Sequence, residues 1–322
     1  MLSPVLKIIL RRLAFGLLTL VVISVLVFAA TQALPGDTAT AILGKSATPE
    51  RVKVLEKQLG LDRPLYEQYF SWVAGILRGD FGNSLVGTML PVTQMIGRRL
   101  MNTLALMLIA ALIDVPTALV LGSLSGRFRD GLFDGFVSVG SLTFAALPTF
   151  VIGIMLILAF ATQILQILPA VSRIEPDASV WSQMDLLWLP ALTLALASAP
   201  FAVRMLRGSM IEVLESDYVQ MARLKGTPER LVLQRHALPN AIVPFIQVVA
   251  LDLAWMIGGV VTVEYLFNFP GIGALLVSAV SDRDVPVIQA LVLLIASAYV
   301  VFNLVADILT ILVTPRLRTG LQ

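Results

Sequence analysis

The chain has 322 residues, of which 57% are hydrophobic and only 14% are charged, and its formal net charge at pH 7 is +2. A soluble domain carries about a quarter charged residues, so this composition predicts a protein that lies mostly in a membrane. The small net charge gives no sign of nucleic-acid binding, and the lack of cysteine excludes disulfides, thiol catalysis and thiolate metal sites. With His236 as the single histidine, no metal site is expected.

The first predicted element is a membrane-spanning helix within residues 1–34. Lys7, Arg11 and Arg12 precede an apolar run over residues 13–30. A run of about 18 residues is long enough to cross a bilayer and exceeds the core of a signal peptide. A cleavable signal peptide is the alternative, because residues 30–33 are rich in small side chains. The preceding bases favour an uncleaved helix with a cytoplasmic N-terminus.

Residues 35–98 are more polar and are predicted to form an extracytoplasmic helical segment. One short helix is expected to begin near Thr48 and to end near Gly60, and a second to begin at Pro64. One face of the second carries apolar and aromatic side chains, namely Leu65, Tyr69, Trp72, Val73 and Ile76. We expect this face to pack on the membrane or on a neighbouring helix, and docking of another protein is the alternative.

Residues 99–313 are predicted to hold five further spans, followed by a cytoplasmic tail at 314–322. The spans are expected at 102–125, 136–164, 188–206, 242–263 and 287–313. The short loops assigned to the cytoplasm carry most of the short-loop bases, while the two short outer loops hold only Arg173 and Arg283. The predicted fold is therefore all-α and polytopic, with six transmembrane helices and both termini in the cytoplasm. The lack of a convincing internal repeat disfavours the inverted-repeat secondary transporters.

The cytoplasmic loop at 207–241 has the pattern of two short helices. Leu214, Tyr218, Met221 and Ala222 follow a helical period. Gly226 is placed to end the first helix in a left-handed conformation. Thr227 is expected to cap the second helix, with Pro228 at its first position, and Pro239 is expected to end it.

This loop resembles the cytoplasmic loop of ABC-importer permeases, where Glu-Ala-Ala precedes a glycine and a later Leu-Pro. Ala222, Gly226, Leu238 and Pro239 match that pattern, whereas Gln220, Met221 and His236 depart from it. Peptide-type permeases share the departure, with Asp-Tyr-Val at 217–219 and Ala-Arg-x-Lys-Gly at 222–226. The resemblance implies a loop that couples to a separate ATPase through Tyr218, Gln220, Met221, Ala222, Arg223, Lys225, Gly226, His236, Leu238 and Pro239.

Further segments in the same order are similar to the first permease of dipeptide and oligopeptide importers. They are residues 34–37, 59–64, 78–84, 258–259, 263–264 and 269–273, with Asp307 and Pro315-Arg316. The resemblance implies a type I ABC importer permease fold in the cell inner membrane. It also implies a second permease, two ATPase subunits and an extracytoplasmic binding protein. The sequence has no Gly-x-x-x-x-Gly-Lys-Ser/Thr phosphate loop, so ATP and magnesium are expected on the partners and no cofactor on this non-catalytic chain.

Three acids lie inside predicted spans. A charge at the centre of a membrane costs about 2.5–3.5 kcal/mol on insertion scales, so each is expected to face a partner or water. For Asp307 we expect a contact between helices. For Asp114 and Asp252, a role in the translocation path and a bond to a neighbouring helix or subunit both remain open.

Peptides are the expected substrates, and nickel chelates, glutathione or opines on the same machinery are alternatives. A stand-alone secondary transporter or channel is a less favoured class. An intramembrane enzyme is not supported, because no Ser/Lys dyad, acid pair or histidine cluster occurs at helical spacing.

Overall fold

The structure is a computed structural model that describes residues 4–33, 48–50, 53, 57, 62–86, 89–175 and 179–313. Within these residues every regular element is helical, apart from one isolated bridge between Asn83 and Pro91. Three sequence predictions fall outside the described residues: the helix break at 34–37, the helix end at Gly60 and the tail at 314–322.

Eleven α-helices are described in chain order. They are α1 Pro4–Gln32, α2 Leu65–Leu77, α3 Val92–Arg127, α4 Leu132–Ala146, α5 Thr149–Ile157, α6 Trp188–Leu214, α7 Asp217–Leu224, α8 Glu229–Val232, α9 Leu238–Leu266, α10 Ile272–Asp282 and α11 Val285–Val313. A π-helical turn follows α5 at Leu158–Thr162, and another joins α8 to α9 at Leu233–Ala237. A 3₁₀ segment, Val180–Leu187, leads into α6.

Five helical segments of the described chain are long and apolar enough to cross a membrane, and these contain α1, α3, α6, α9 and α11. The remaining predicted span, at 136–164, is broken, because α4 and α5 meet at an angle of 109°. Leu147 at the break has φ −87° and ψ 134°, the extended conformation favoured before a proline, here Pro148. The all-α polytopic prediction is thus confirmed. Which side of the membrane each terminus faces stays a prediction.

Helices α3 and α6 make the most extensive helix–helix contact among the described residues, and they meet at two glycines one turn apart. A Cβ on Gly122 would lie 2.8 Å from the carbonyl oxygen of Val203 and 2.9 Å from the Cβ of Leu206. A Cβ on Gly126 would lie 2.6 Å from the Cβ of Met210. Small residues four apart allow the backbones of membrane helices to approach closely. Gly122 and Gly126 therefore set the contact that positions the C-terminal end of α6.

The first helix is attached to the last one along its length. Arg12 forms an ion pair with Asp307, with 3.2 Å between Nε and Oδ2. Near the other end of α1, the side-chain amide of Gln289 donates to the hydroxyl of Thr31 over 2.8 Å. The structure therefore places Asp307 in a contact between α1 and α11.

The segment between α1 and α3 also packs on the helices beside it. The rings of Tyr69 and Trp72 on α2 lie 5.4 and 5.9 Å from the ring of Phe28 on α1. The Tyr69 hydroxyl forms a 2.8 Å hydrogen bond with that of Ser24. The aromatic face of α2 thus packs on a neighbouring helix, the first of the two expectations for it.

Candidate functional site

The loop at 207–241, which is predicted to be cytoplasmic, is built around the end of α7 at Gly226. This glycine has φ +75°, in the left-handed region. The backbone amide of Gly226 donates to the carbonyl oxygen of Arg223 over 2.9 Å. The backbone amide of Thr227 donates to the carbonyl oxygen of Ala222 over 3.2 Å. This pair of bonds is the Schellman arrangement, which satisfies the last carbonyls of a helix and turns the chain sharply. The predicted helix end at Gly226 is present as expected.

Helix α7 has two faces with different surroundings. Val219 and Ala222 are buried against Val232 of α8, and the partly buried side chains of Val213 and Leu214 cover this small core. On the opposite face three large apolar side chains are exposed: Tyr218 at 47%, Met221 at 53% and Leu224 at 82%. We call these three residues the exposed α7 face. Leu214, Tyr218, Met221 and Ala222 therefore do not share one contact surface, although they share a helical period.

A forked ion pair braces α7 against α8 across the turn. Arg223 donates from Nε to Oε2 of Glu229 over 3.1 Å and from Nη2 to Oε1 over 2.8 Å. The Glu229 carboxylate raises the pKa of Arg223 above its ordinary value by hydrogen bonding to the charged guanidinium. Both side chains are partly exposed, so we assign this pair a role in orientation and only a small share of the folding free energy.

Two local sequence predictions for the second half of the loop are wrong. Pro228 occupies the N-cap position of α8, which was predicted for Thr227, and no side-chain hydrogen bond caps this helix. Pro239 lies in the first turn of α9 and does not end α8. The π-helical turn explains this, because the amide of Leu238 donates back to Leu233 and the chain continues into α9. A proline is tolerated in a first turn, where its missing N–H has no partner to lose.

The remaining loop residues occupy several positions. Gln220 and Lys225 are exposed on α7, and Gln220 donates to the carbonyl of Glu215 over 3.1 Å. His236 is half-buried in the π-helical turn, and its carbonyl accepts from Asn240 over 2.7 Å. Leu238 and Pro239 open α9. The structure thus separates the candidate residues into the exposed α7 face, the inner core and the entry into α9.

Asp114 and Asp252 come together in the interior. Asp114 on α3 is 1% exposed and Asp252 on α9 is 7% exposed. One carboxylate oxygen of each is buried without a hydrogen-bond partner. Ser198 lies beside Asp114 and, with Asp252, lines a cavity of about 360 Å³. Asp307 is not part of this group. Across the described residues, no set of three metal-ligating side chains is grouped to hold a metal ion.

The cavity beside Asp252 has an aromatic rim. Trp255 and Tyr299, both about half-exposed, line it together with Phe201. These side chains come from α6, α9 and α11, so three membrane helices contribute to the space. An unpartnered carboxylate oxygen next to an open, aromatic-lined space is a favourable position for a cation or an N–H donor.

Glu264 is fully buried near the end of α9, and it was not among the acids predicted from the sequence to lie in the interior. Thr103 donates to Oε1 over 2.5 Å, and the amides of Gly273 and Ala274 donate to Oε2 over 2.7 and 3.1 Å. The carboxylate thus caps the first turn of α10, whose amides have no intrahelical acceptors. A Cβ on Gly271 would lie 1.9 Å from Oε1. In the sequence, this capping contact is indicated by an acid at the end of an apolar run, Glu264, with Gly-x-Gly at 271–273.

Comparison with known proteins agrees with this architecture. Residues 118–319 match the family described as binding-protein-dependent transport system inner membrane component, and residues 5–107 match the N-terminal model of the same system. The chain is 39% identical over 314 residues to the probable peptide ABC transporter permease protein y4tP of Sinorhizobium fredii, covering 96% of this chain and 98% of that protein.

It is 36% identical over 310 residues to the glutathione transport system permease protein GsiC of Escherichia coli K12, with 96% and 98% covered. The GsiC protein of Salmonella paratyphi A matches at the same identity and coverage. The resemblance stated from the sequence motifs is therefore confirmed over nearly the whole chain. The chain belongs to the family of binding-protein-dependent transport system inner membrane components, as a multi-pass inner-membrane permease of an ABC importer.

Proposed function

We propose that this permease forms half of the translocation path for peptides, with a second permease completing it. An extracytoplasmic binding protein delivers the peptide, and separate ATPase subunits bind ATP and magnesium and drive transport. The names of the relatives support this class of substrate, since one is a probable peptide permease and others are glutathione permeases. Glutathione is therefore the second candidate substrate.

The observation that carries the coupling role is the exposed α7 face. Tyr218, Met221 and Leu224 expose large apolar surfaces on a helix whose other face is anchored. Three apolar side chains at helical spacing suit an apolar groove in a partner protein. The Arg223–Glu229 pair and the turn at Gly226 hold α7 to α8. The π-helical turn then continues into α9, so movement of α7 is transmitted to a membrane span.

The interior acids supply the second part of the proposal. Asp114 and Asp252 each keep a buried carboxylate oxygen without a partner among the described residues, and Asp252 lines a cavity in the membrane-spanning part of the chain. Acids inside membrane spans are costly and commonly mark the path of a polar substrate. We assign these two residues to the translocation path, where they attract the ammonium group of the peptide.

The coupling role is tested in the complete transporter reconstituted in lipid vesicles. Met221→Asp and Leu224→Asp place a charge on the exposed α7 face without disturbing its buried face. We expect both variants to insert normally but to lose peptide uptake, with the ATPase either released on purification or hydrolysing ATP without transport. Gln234→Asp, exposed on the same loop but outside α7, is the matched control. Normal uptake and normal stimulated hydrolysis in both α7 variants would exclude this coupling surface.

The substrate is tested by competition in the same vesicles. Uptake of a labelled peptide is measured with increasing amounts of unlabelled peptide or glutathione. Stronger competition by the peptide is expected. Stronger competition by glutathione would select the second candidate substrate.

A further inference from the structure

A large cavity opens where α3 begins, away from the cytoplasmic loop. Its volume is about 920 Å³, and α3, the segment before α6 and the turn at 268–270 contribute its lining. Three arginines, Arg98, Arg99 and Arg173, line it together with one acid and four neutral polar side chains, namely Glu175, Gln94, Asn102, Asn268 and Ser278. Cavities of about 300–1,000 Å³ hold small organic ligands. The space is therefore large enough for a short peptide.

The three arginines give this cavity an excess of positive charge. Glu175 is the single acid among the lining residues, so the lining carries two more positive than negative charges. None of the three guanidinium groups forms an ion pair with any residue that the structure describes. The negative charge of Glu264 acts on Arg99. The Glu264 carboxylate, however, already accepts hydrogen bonds from the Thr103 hydroxyl and from the backbone amides of Gly273 and Ala274.

The position of the arginines along α3 places them at its outer end. The helix has 36 residues, and at 1.5 Å per residue it is about 54 Å long, against about 30 Å of bilayer hydrocarbon. Arg127 lies at the end predicted to be cytoplasmic, and Arg98 and Arg99 lie in the second turn of the opposite end. Arg173 lies in a short loop on the predicted outer side. The position of Arg173 in a short outer loop runs against the usual cytoplasmic bias of positive charge, so a role in binding explains this base better than orientation of the chain does.

We propose that this cavity is the entry site of the permease and binds the carboxylate terminus of the incoming peptide. An arginine fork binds a carboxylate through two parallel hydrogen bonds, and the three guanidinium groups here have donors to spare. The Asn102 amide is already engaged, because it donates to the carbonyl of Pro270 over 2.9 Å. It therefore supports the wall of the cavity. The inference rests on the proposed peptide transport.

The test uses the complete reconstituted transporter and compares the uptake of two forms of one peptide. The acid form has a free C-terminal carboxylate, and in the amide form this carboxylate is amidated. The pair is chosen so that the binding protein loads both forms, and uptake is normalised to the loaded fraction. The variants are Arg98→Gln, Arg99→Gln, Arg173→Gln and the triple substitution. Arg78→Gln, exposed on the same predicted side but outside the cavity, is the matched control. We expect the triple variant to raise the apparent KM for the acid at least 10-fold and that for the amide less than twofold.

A second measurement separates peptide binding from docking of the binding protein. The affinity of the empty binding protein for the transporter is measured with wild type and with the triple variant. An unchanged affinity is expected. A loss equal to the loss in uptake would assign the arginines to an acidic surface of the binding protein and overturn the inference.

Two further outcomes separate this inference from the proposed function. If wild type imports both peptides and the triple variant affects them equally, the carboxylate site is wrong and peptide transport stands. If wild type imports no peptide, the proposed function fails and the carboxylate site fails with it.

Discussion

Arg207 of α6 and Asp134 of α4 form a forked ion pair, with 2.6 Å from Nε to Oδ1 and 2.7 Å from Nη2 to Oδ2. Ser125 donates to the same carboxylate from α3, and the amide of Asp130 donates to it over 3.0 Å. The Asp134 carboxylate thus joins α3, α4 and α6 near the point where α6 enters the loop at 207–241. This contact anchors the base of the loop that we propose to be the coupling element.

Asp134→Ala should destabilise the permease strongly. Removing the buried carboxylate leaves the partly buried guanidinium of Arg207 and the buried hydroxyl of Ser125 without their partner, at a cost of about 1–3 kcal/mol. Thermal unfolding of the purified complex checks this prediction. Arg129→Gln, which breaks the exposed pair with Glu215, is the control and should cost less than about 1 kcal/mol. Equal small effects would show that Asp134 is dispensable.

Gly271→Ala should disturb the start of α10. The new Cβ has no room beside the Glu264 carboxylate, so the first turn of α10 or Glu264 must move and the capping bonds weaken. We expect a loss of about 1–3 kcal/mol, the usual cost of overpacking. Gly97→Ala is the control, because a Cβ there meets no atom within 4 Å. A melting temperature for Gly271→Ala equal to that of the control would contradict the prediction.

Asp252→Asn should leave stability unchanged or raise it while lowering peptide uptake. The carboxylate of Asp252 has a buried oxygen without a hydrogen-bond partner, and removing a buried charge relieves a desolvation cost. Groups kept for function commonly reduce stability. Asp307→Asn is the comparison, since it breaks the ion pair with Arg12 and should lower stability slightly. A large drop in stability for Asp252→Asn would assign this acid to the fold.

Single cysteines test the predicted orientation, because the chain has none of its own. Ser182→Cys should react with an impermeant thiol reagent in cells with a permeabilised wall, and Lys225→Cys should react only after the membrane is opened. Both positions are exposed. Ser84 is unsuitable, because it is buried and donates to Asp284. The reverse labelling pattern would invert the predicted topology.

Substitutions at Gly226 separate backbone strain from contact with the ATPase. No atom of the described chain lies within 4 Å of a Cβ built there, so within this subunit the cost comes from the positive φ. A β-branched valine in this conformation costs about 1–2 kcal/mol, whereas asparagine is tolerated. If the backbone alone matters, Gly226→Asn should retain uptake and Gly226→Val should lose it. Loss of uptake in both, with the ATPase released, would show that the partner contacts this position.

The variant Ala222→Asp is expected to disrupt the fold of the loop, whereas a charge on the exposed α7 face is expected to disrupt only a contact with a partner. Ala222 packs inside the α7–α8 core, so a carboxylate there disrupts the loop itself. The sequence pattern matches this alanine to the permease family but does not show which way it faces.

Local patterns in the sequence determined much of this protein. Apolar runs of span length predicted the membrane helices, and Gly226 predicted the end of α7, because a left-handed cap depends on neighbouring residues alone. The family resemblance followed from short motifs and was confirmed. The π-helical turn was not predictable from Pro239, since a proline can equally end one helix or begin the next.

Only the tertiary structure decided which distant residues meet. Asp134 and Arg207 are 73 positions apart, and Thr103 and Glu264 are 161 apart. Arg173 joins Arg98 and Arg99 because α3 and the segment before α6 border one cavity. Helical periodicity identifies the face on which a side chain lies, but the opposing helix is selected by packing such as that at Gly122. The sequence therefore determined the helices and the turn at Gly226, and the packing of the helices decided where their charged side chains meet.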